Sequence, residues 1–393
     1  MLEDVLVLDL SRVLAGPFAT MILSDLGATV IKVENPKGGD ETRGWGPPWF
    51  KTESAYYLCA NRNKKSIAVN LAHPRGREIV LGIARKADVL IENFKVGGLK
   101  KFGLDYESVR AVNPGIIYCS ITGYGQFGPY KERPGYDFII QGMSGLMSIT
   151  GEPGGMPMKV GVAITDVIAG LYATISILAA LYRRKATGEG EYIDISLLDT
   201  SISALVNVAS NYLVSGETPR RYGNAHPNIV PYETFKASDG YFNLGVGNDS
   251  QFRRLCEILG RPELAEDERF STNAKRVENR SELVPLLNEL FSKRPVSHWL
   301  EVLSKEKIPC GPIYTIPEVF ADPHVRERSM VWETPHLGDV LKLVASPLKF
   351  KNYRVSLKSP PPTLGQHTDE VLKELLGMGA DEVEALRSEG VVK

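Results

Sequence analysis

The sequence predicts an α/β fold with a parallel sheet covered by helices, followed by a smaller second domain. Three observations lead there. Short β-rich runs alternate with helical patterns through the first third of the chain, which is the signature of βαβ units. A long helix with almost no charge follows, and near residue 210 the composition shifts into a stretch holding a strand pair and amphipathic helices.

Taken in order, DVLVLDL opens as a strand, PFATMILSDLG as a helix with Pro17 at its first position, and ATVIKVE as the second strand. SIAVNL, DVLIENF and GIIYCSI continue the strands, with RGREIVLGIARKA as a helix among them. Open α/β sheets bind ligands beyond the carboxyl ends of their strands, so the loops after Leu10, Val33, Val69, Ile91 and Ile121 become candidate binding segments. GVAITDVIAGLYATISILAALYRR is the long helix; its apolar run, Val167 to Tyr182, falls short of the ~20 residues of a membrane span, so a core helix is expected. KATGEGEYIDISLLDT reads as a Gly-marked turn, a strand and a helix.

SGETPRRYGNAHPNIVPYETF marks the entry to the second domain, where ETFKASDGYFNLGV predicts two strands joined at Asp239-Gly240. QFRRLCEILG, SELVPLLNELF and VSHWLEVLSK are amphipathic helices, and PCGPIYTIPEVFADP is read as a return path. Pro360, Pro361 and Pro362 make a stiff spacer before a last helix, QHTDEVLKELLGM. The expected division is a large domain over 1–210 and 325–393, a small one over 222–315, and linkers at 211–221 and 316–324.

Composition narrows the function. With 46 basic and 47 acidic residues the net charge is −1, so no overall field favours nucleic acid or an anionic membrane, and an anionic ligand must meet a local site. Cys59, Cys119, Cys256 and Cys310 form no CxxC pair, which argues against a zinc site or a disulfide framework and for a reducing compartment. MLEDVLVLDLSRV has neither a signal nor a transit pattern, and a cytoplasmic location is expected. Walker, HExxH and GxSxG motifs are missing and the six histidines are dispersed, so no metal is expected.

Individual motifs admit two readings each. Gly123, Gly125 and Gly128 spell GxGxxG after a strand, but Pro129 and KERPGYD follow where a dinucleotide site needs a helix, so a glycine-rich turn is favoured over an oxidoreductase. The first βα loop, SRVLAGP, offers only Gly16, and Glu34 reads as a polar strand end. Arg62, Lys64 and Lys65 in NRNKKS either bind a phosphate-rich ligand or form a solvated face. ENF at 92–94 is a ligand edge or a plain turn. Asp166, at the mouth of the long helix, is either a cap or a nucleophile, since a carboxylate ionised at neutral pH needs no base to attack. Tyr136 and Asp137, in GYDF, follow the Gly-rich loop.

Together RVLAGPFATMILSDLGATVIKVE, NRNKKSIAVN, ENF, GYGQFGPYKERPGYD, VGVAITDVIAGLYA and LGQHTDEVL resemble the class III coenzyme A transferases of CaiB/BaiF type, over almost the whole chain. RVLAGPFATM, WGPP, NRNKKSIAVN, IIYCSITGYGQ and IVPYE are most like the branch that moves CoA between succinyl-CoA and glutarate. The resemblance implies that Asp166, in the family's GxxxxDxxxG pattern at Gly161 to Gly170, is the catalytic aspartate and carries a covalent CoA thioester during turnover. It further implies that Tyr136 and Asp137 lie beside it; that Val13, Leu14 and Ala15 line the CoA thiol end; and that Asn93, Phe94 and Lys101 hold the nucleotide and pantetheine portions, with Asn35, Val69 and Ala72 as further contacts. Leu14 stands where formyl-CoA transferases have glutamine and Asn35 where they have arginine, which disfavours the formyl-CoA/oxalate pair. The family's racemases have a histidine at the place of Tyr136, and tyrosine is a poor base at neutral pH, so racemization of a 2-methylacyl-CoA is the alternative reading.

The implied substrates are an acyl-CoA and a free, dicarboxylic acid, with CoA as substrate and no permanently bound cofactor. Arg43, Arg221 or the His226 segment are expected to bind the second carboxylate. The implied architecture is a Rossmann-like large domain from both chain ends plus an α+β middle domain, in an interlocked homodimer.

Overall fold

Short strands with apolar side chains on both faces build a sheet buried on both sides. The computed structural model describes residues 1–393. The strands are β1 (Leu6–Asp9), β2 (Thr29–Glu34), β3 (Lys64–Ala68), β4 (Val89–Glu92), β5 (Ile117–Thr122) and β6 (Glu191–Ser196). All neighbours are parallel, in the order β3-β2-β1-β4-β5-β6. Val7, Val30, Val89 and Ile117 face one layer, and Leu8, Ile31, Leu90 and Tyr118 the other.

The first face is covered by α1 (Ala15–Asp25) and the second by α2 (Pro74–Ala84). A short helix, α3 (Asp137–Met143), precedes the long α4 (Ile164–Thr187), which joins α1 on the first face. Two C-terminal helices, Thr368–Leu376 and Ala380–Ser388, close the second face, and Asn70 N–H donates to Val391 O at 2.8 Å.

α4 is longer than the apolar run suggested. It has 24 residues, because the turns carrying Asp166 and Arg184 are helical too, and Gly188 ends it with φ 74°. By length and composition it is apolar enough to cross a membrane. In the fold its Ala169, Ala173, Ile177, Ala180 and Leu181 are buried in the layer shared with α1 and the sheet. Gly170 permits the close crossing: a Cβ there would stand 2.8 Å from the Ala15 carbonyl oxygen.

The chain divides into two compact units, Met1–Leu146 with Val160–Leu205 and Pro323–Lys393, and Met147–Lys159 with Val206–Asp322. The stretch Met147–Lys159 was not marked off by composition. The second unit contains the hairpin Tyr232–Lys236 and Tyr241–Gly245 around Phe235, Phe242, Phe291 and Trp299. Its third strand is Cys310–Pro312, so the segment read as a return path is part of that sheet. In the first unit a further hairpin pairs Val331–His336 with Asp339–Val344, and no turn signal in the sequence marks it. Its two-residue loop, Leu337 (φ 49°) and Gly338 (φ 79°), has the left-handed backbone of a tight hairpin turn without the Asn-Gly or Asp-Gly that announces one.

Candidate active site

The strand order changes direction between β1 and β4, and in a doubly wound sheet the carboxyl ends diverge at that point to leave a crevice. A cleft of about 180 Å³ lies there, lined by the loop after β1 (Arg12, Val13, Ala15), the loop after β4 (Asn93, Phe94), the end of β5, the segment ending in Tyr136, and Asp166. Its volume is below the ~300 Å³ at which small-molecule pockets begin, so it is too small to enclose a large ligand whole.

Asp166 sits in the first turn of α4, yet it is not the cap. Ala163 holds the cap position, and the capping contact comes from Asp137, whose Oδ1 accepts from Thr165 N–H (2.9 Å) and Thr165 Oγ1 (2.8 Å) while Oδ2 accepts from Gln141 Nε2 (2.8 Å). The Asp166 carboxylate is left without a hydrogen bond or ion pair. Burial, followed by the neighbouring Asp137 charge, pushes it from the usual carboxylate range up to about 7. Tyr136 is 65% exposed and lines the cleft, so it is not a core side chain. Backbone contact brings it here: a Cβ on Gly123 would lie 2.7 Å from Gly135 Cα, so both positions are restricted to glycine.

Asn93 faces the loop after β1, not an open surface. Its Oδ1 accepts from Arg12 N–H (2.9 Å) and its Nδ2 donates to Arg12 O (2.6 Å). The Arg12 guanidinium lies 5.1 Å over the Phe94 ring. Leu14 is the residue before α1 and is buried. Lys95, Lys131 and Arg133 add positive charge to the cleft wall. Tyr56, absent from the sequence-based candidates, has its hydroxyl pushed up to about 12 by burial and then by the Asp166 charge. No motif or periodicity marks it. Glu92, beneath Phe94, is raised to about 7 by burial and accepts Phe94 N–H at 2.7 Å.

Other candidates lie elsewhere. Asn35, Val69, Ala72 and Lys101 do not line this cleft. Asn35 accepts from Lys37 N–H, Val69 is buried beside the C-terminal Val392, Ala72 is exposed, and Lys101 lies over the Phe102 ring. The NRNKKS cluster is no anion site: Arg62 pairs with Asp25, Lys64 is buried against Asp9, and Lys65 pairs with Glu370 and Glu374. Arg43 is likewise excluded as a substrate ligand. It bridges Glu34 and Glu53 at 2.8 Å each and lies 3.7 Å from the Tyr57 ring centre, which makes Glu34 a buried ion-pair partner and no mere strand end. Arg221 donates to the backbone carbonyls of Ser148, Glu152 and Gly155, and His226 accepts from Asn228 N–H. The GxGxxG stretch forms turns, with Gly125 and Gly128 at positive φ and no helix before Asp137. No group of three or more His, Cys, Asp or Glu side chains converges as a metal site.

The profile of CoA-transferase family III matches residues 2–368. The chain belongs to CoA-transferase family III. Succinyl-CoA:glutarate CoA-transferase from Homo sapiens is 47% identical over 393 residues, covering 100% of this chain and 90% of the human protein. Succinate--glutarate CoA-transferase from Agrobacterium fabrum is 49% identical, covering 95% of each chain. Among solved structures, a CAIB/BAIF family protein from Brucella suis matches with a TM-score of 0.84 at 48% identity, over 94% of this chain and 98% of that one. The resemblance read from the motifs is therefore correct, and so is the α/β fold with a parallel central sheet.

Proposed function

We propose that this family III CoA-transferase moves CoA from succinyl-CoA to glutarate or a related dicarboxylate through a covalent thioester on Asp166. The observation that carries the reading is the Asp166 carboxylate: unpaired, partly buried, titrating near 7 and set in the cleft at the β1/β4 divergence. The names of the human and Agrobacterium relatives support the substrate pair.

In the ionised form an Asp166 oxygen attacks the thioester carbonyl, and CoA thiolate leaves to give an aspartyl–succinyl anhydride. The thiolate then adds to the aspartyl carbonyl carbon, and succinate departs, leaving CoA on the enzyme. The acceptor carboxylate attacks that thioester, a second anhydride forms, and the returning thiolate takes the acceptor acyl group and frees Asp166. Each step exchanges one acyl bond for another, so no ATP is consumed. An unpaired carboxylate favours this chemistry, because no hydrogen bond must be broken before attack.

Asp137 then acts by positioning, since its oxygens hold the first turn of α4, and its charge keeps Asp166 basic. Val13, Leu14 and Ala15 would border the thiol end, with Tyr136 on the opposite wall. Lys95, Lys131 and Arg133 would meet the CoA phosphates. Asn35, Ala72 and Lys101 follow the carboxyl ends of β2, β3 and β4, a course for the nucleotide outside the cleft, whereas Val69 is buried and offers it no surface. The exposed apolar side chains Phe138, Ile139, Ile175 and Tyr182 support burial against a second copy in an interlocked homodimer. Four free cysteines support a reducing, cytoplasmic setting.

Chromatography of CoA esters after mixing the enzyme with succinyl-CoA and glutarate tests the reading. Glutaryl-CoA is expected from the wild-type chain and none from Asp166→Asn; equal turnover by the variant refutes it.

A further inference from the structure

We propose that Asp40 is a positioning residue for the cleft: anchored by Lys32, it holds Val13 in a left-handed backbone conformation and so fixes the wall facing the thioester. The inference rests on the reading of this cleft as the acyl-CoA site.

Val13 is a β-branched residue with φ 69°. That region costs an L-residue about tenfold in population, and more when the side chain is branched at Cβ, so the surroundings must impose it. The imposing group is visible. Val13 N–H donates to both oxygens of Asp40, at 3.2 Å each. Asp40 is 1% exposed and accepts from Lys32 Nζ (2.9 Å), Thr42 N–H (3.0 Å) and Thr42 Oγ1 (2.8 Å).

The two residues before Val13 are held in the same manner. Lys32 Nζ, wholly buried, also donates to Ser11 O at 3.0 Å, and Ser11 N–H donates to Asp9 Oδ1 at 2.9 Å. Arg12 has both its backbone groups closed by the Asn93 amide. Side chains from β1 (Asp9) and β2 (Lys32), from the loop after β4 (Asn93), and Asp40 thus shape a loop that has no regular structure of its own. Replacing a buried ion pair by apolar side chains of similar volume is often neutral or stabilising, so stability alone does not account for Lys32 and Asp40. The carboxylate aimed at the amide of a strained cleft residue supplies the reason.

A double-mutant cycle on the full chain separates positioning from general structure. Asp40→Asn, Val13→Gly and the double variant are compared by CoA affinity from calorimetry and by amide exchange of the peptide spanning 10–16. Asp40→Asn is expected to weaken CoA binding about tenfold in the Val13 chain and to accelerate exchange. In the Val13→Gly background the same change should cost about twofold or less, because glycine takes the left-handed conformation unaided. An equal loss in both backgrounds overturns the proposal. If Asp40→Asn does not fold, Asp40→Glu, which keeps the negative charge beside Lys32 but shifts the carboxylate from the Val13 amide, takes its place in the cycle, and the same criterion applies. A wild-type chain that fails to bind CoA overturns the acyl-CoA reading of the cleft, and the exchange rates alone then decide whether Asp40 holds Val13.

Discussion

Asp166→Asn should make the protein more stable, by an amount that depends on pH. The Asp166 carboxyl titrates near 7 in the fold against 3.8 as the ordinary value, because burial and the Asp137 charge disfavour its ionised form. Between those pH values the folded state keeps a proton that the unfolded state has released. Stability therefore falls as pH rises from about 4 to about 7 and is level above. At about 1.4 kcal/mol per pH unit, the full cost of the ionised form is about 4 kcal/mol, and about 3 kcal/mol of it accrues between pH 5 and pH 8. An asparagine carries none of this. Urea unfolding of both chains at the two pH values measures the difference, and the variant's advantage should grow by about 3 kcal/mol from pH 5 to pH 8. An advantage that is the same at both values refutes the claim that Asp166 is a destabilised carboxylate kept for chemistry.

Three further outcomes follow from the same contacts. The acidic limb of kcat/KM should have its midpoint near pH 7, and Asp137→Asn should move it lower, since it removes a charge that raises Asp166; a pH–rate profile checks both. Arg43→Gln should cost about 3–5 kcal/mol by leaving Glu34 and Glu53 buried without their cation, and enzyme assayed in the cold should keep its acceptor preference. Gly170→Ala should cost about 1–3 kcal/mol through overlap with the Ala15 carbonyl, and should raise KM for the acyl-CoA by displacing the start of α1, as thermal melts and steady-state kinetics would show.

The parallel sheet was legible because β1 to β6 announce themselves locally: Val7/Leu8 and Val30/Ile31 alternate between two buried layers, and glycines and prolines punctuate the runs. The hairpin at Leu337-Gly338 was not, because its turn conformation is imposed on a leucine by the paired strands. In the site, the place of Asp166 in a first helical turn follows from local pattern, but what caps that turn does not. Asp137 reaches Thr165 from 28 residues away, and at sequence level it looks as able to do chemistry as Asp166. Arg43, Arg62, Lys64 and Lys65 show the same limit. A basic residue reads alike whether it faces a ligand or a buried acid, and partners such as Glu370 for Lys65 lie 305 positions away. Tyr56 comes under the influence of Asp166 only through folding.

Mass spectrometry of the chain quenched in acid during turnover with succinyl-CoA shows whether Asp166 carries CoA. A CoA thioester is expected on the peptide containing Asp166, lost on adding glutarate as glutaryl-CoA appears. Steady turnover with no such adduct, or with CoA attached to another residue, contradicts that expectation.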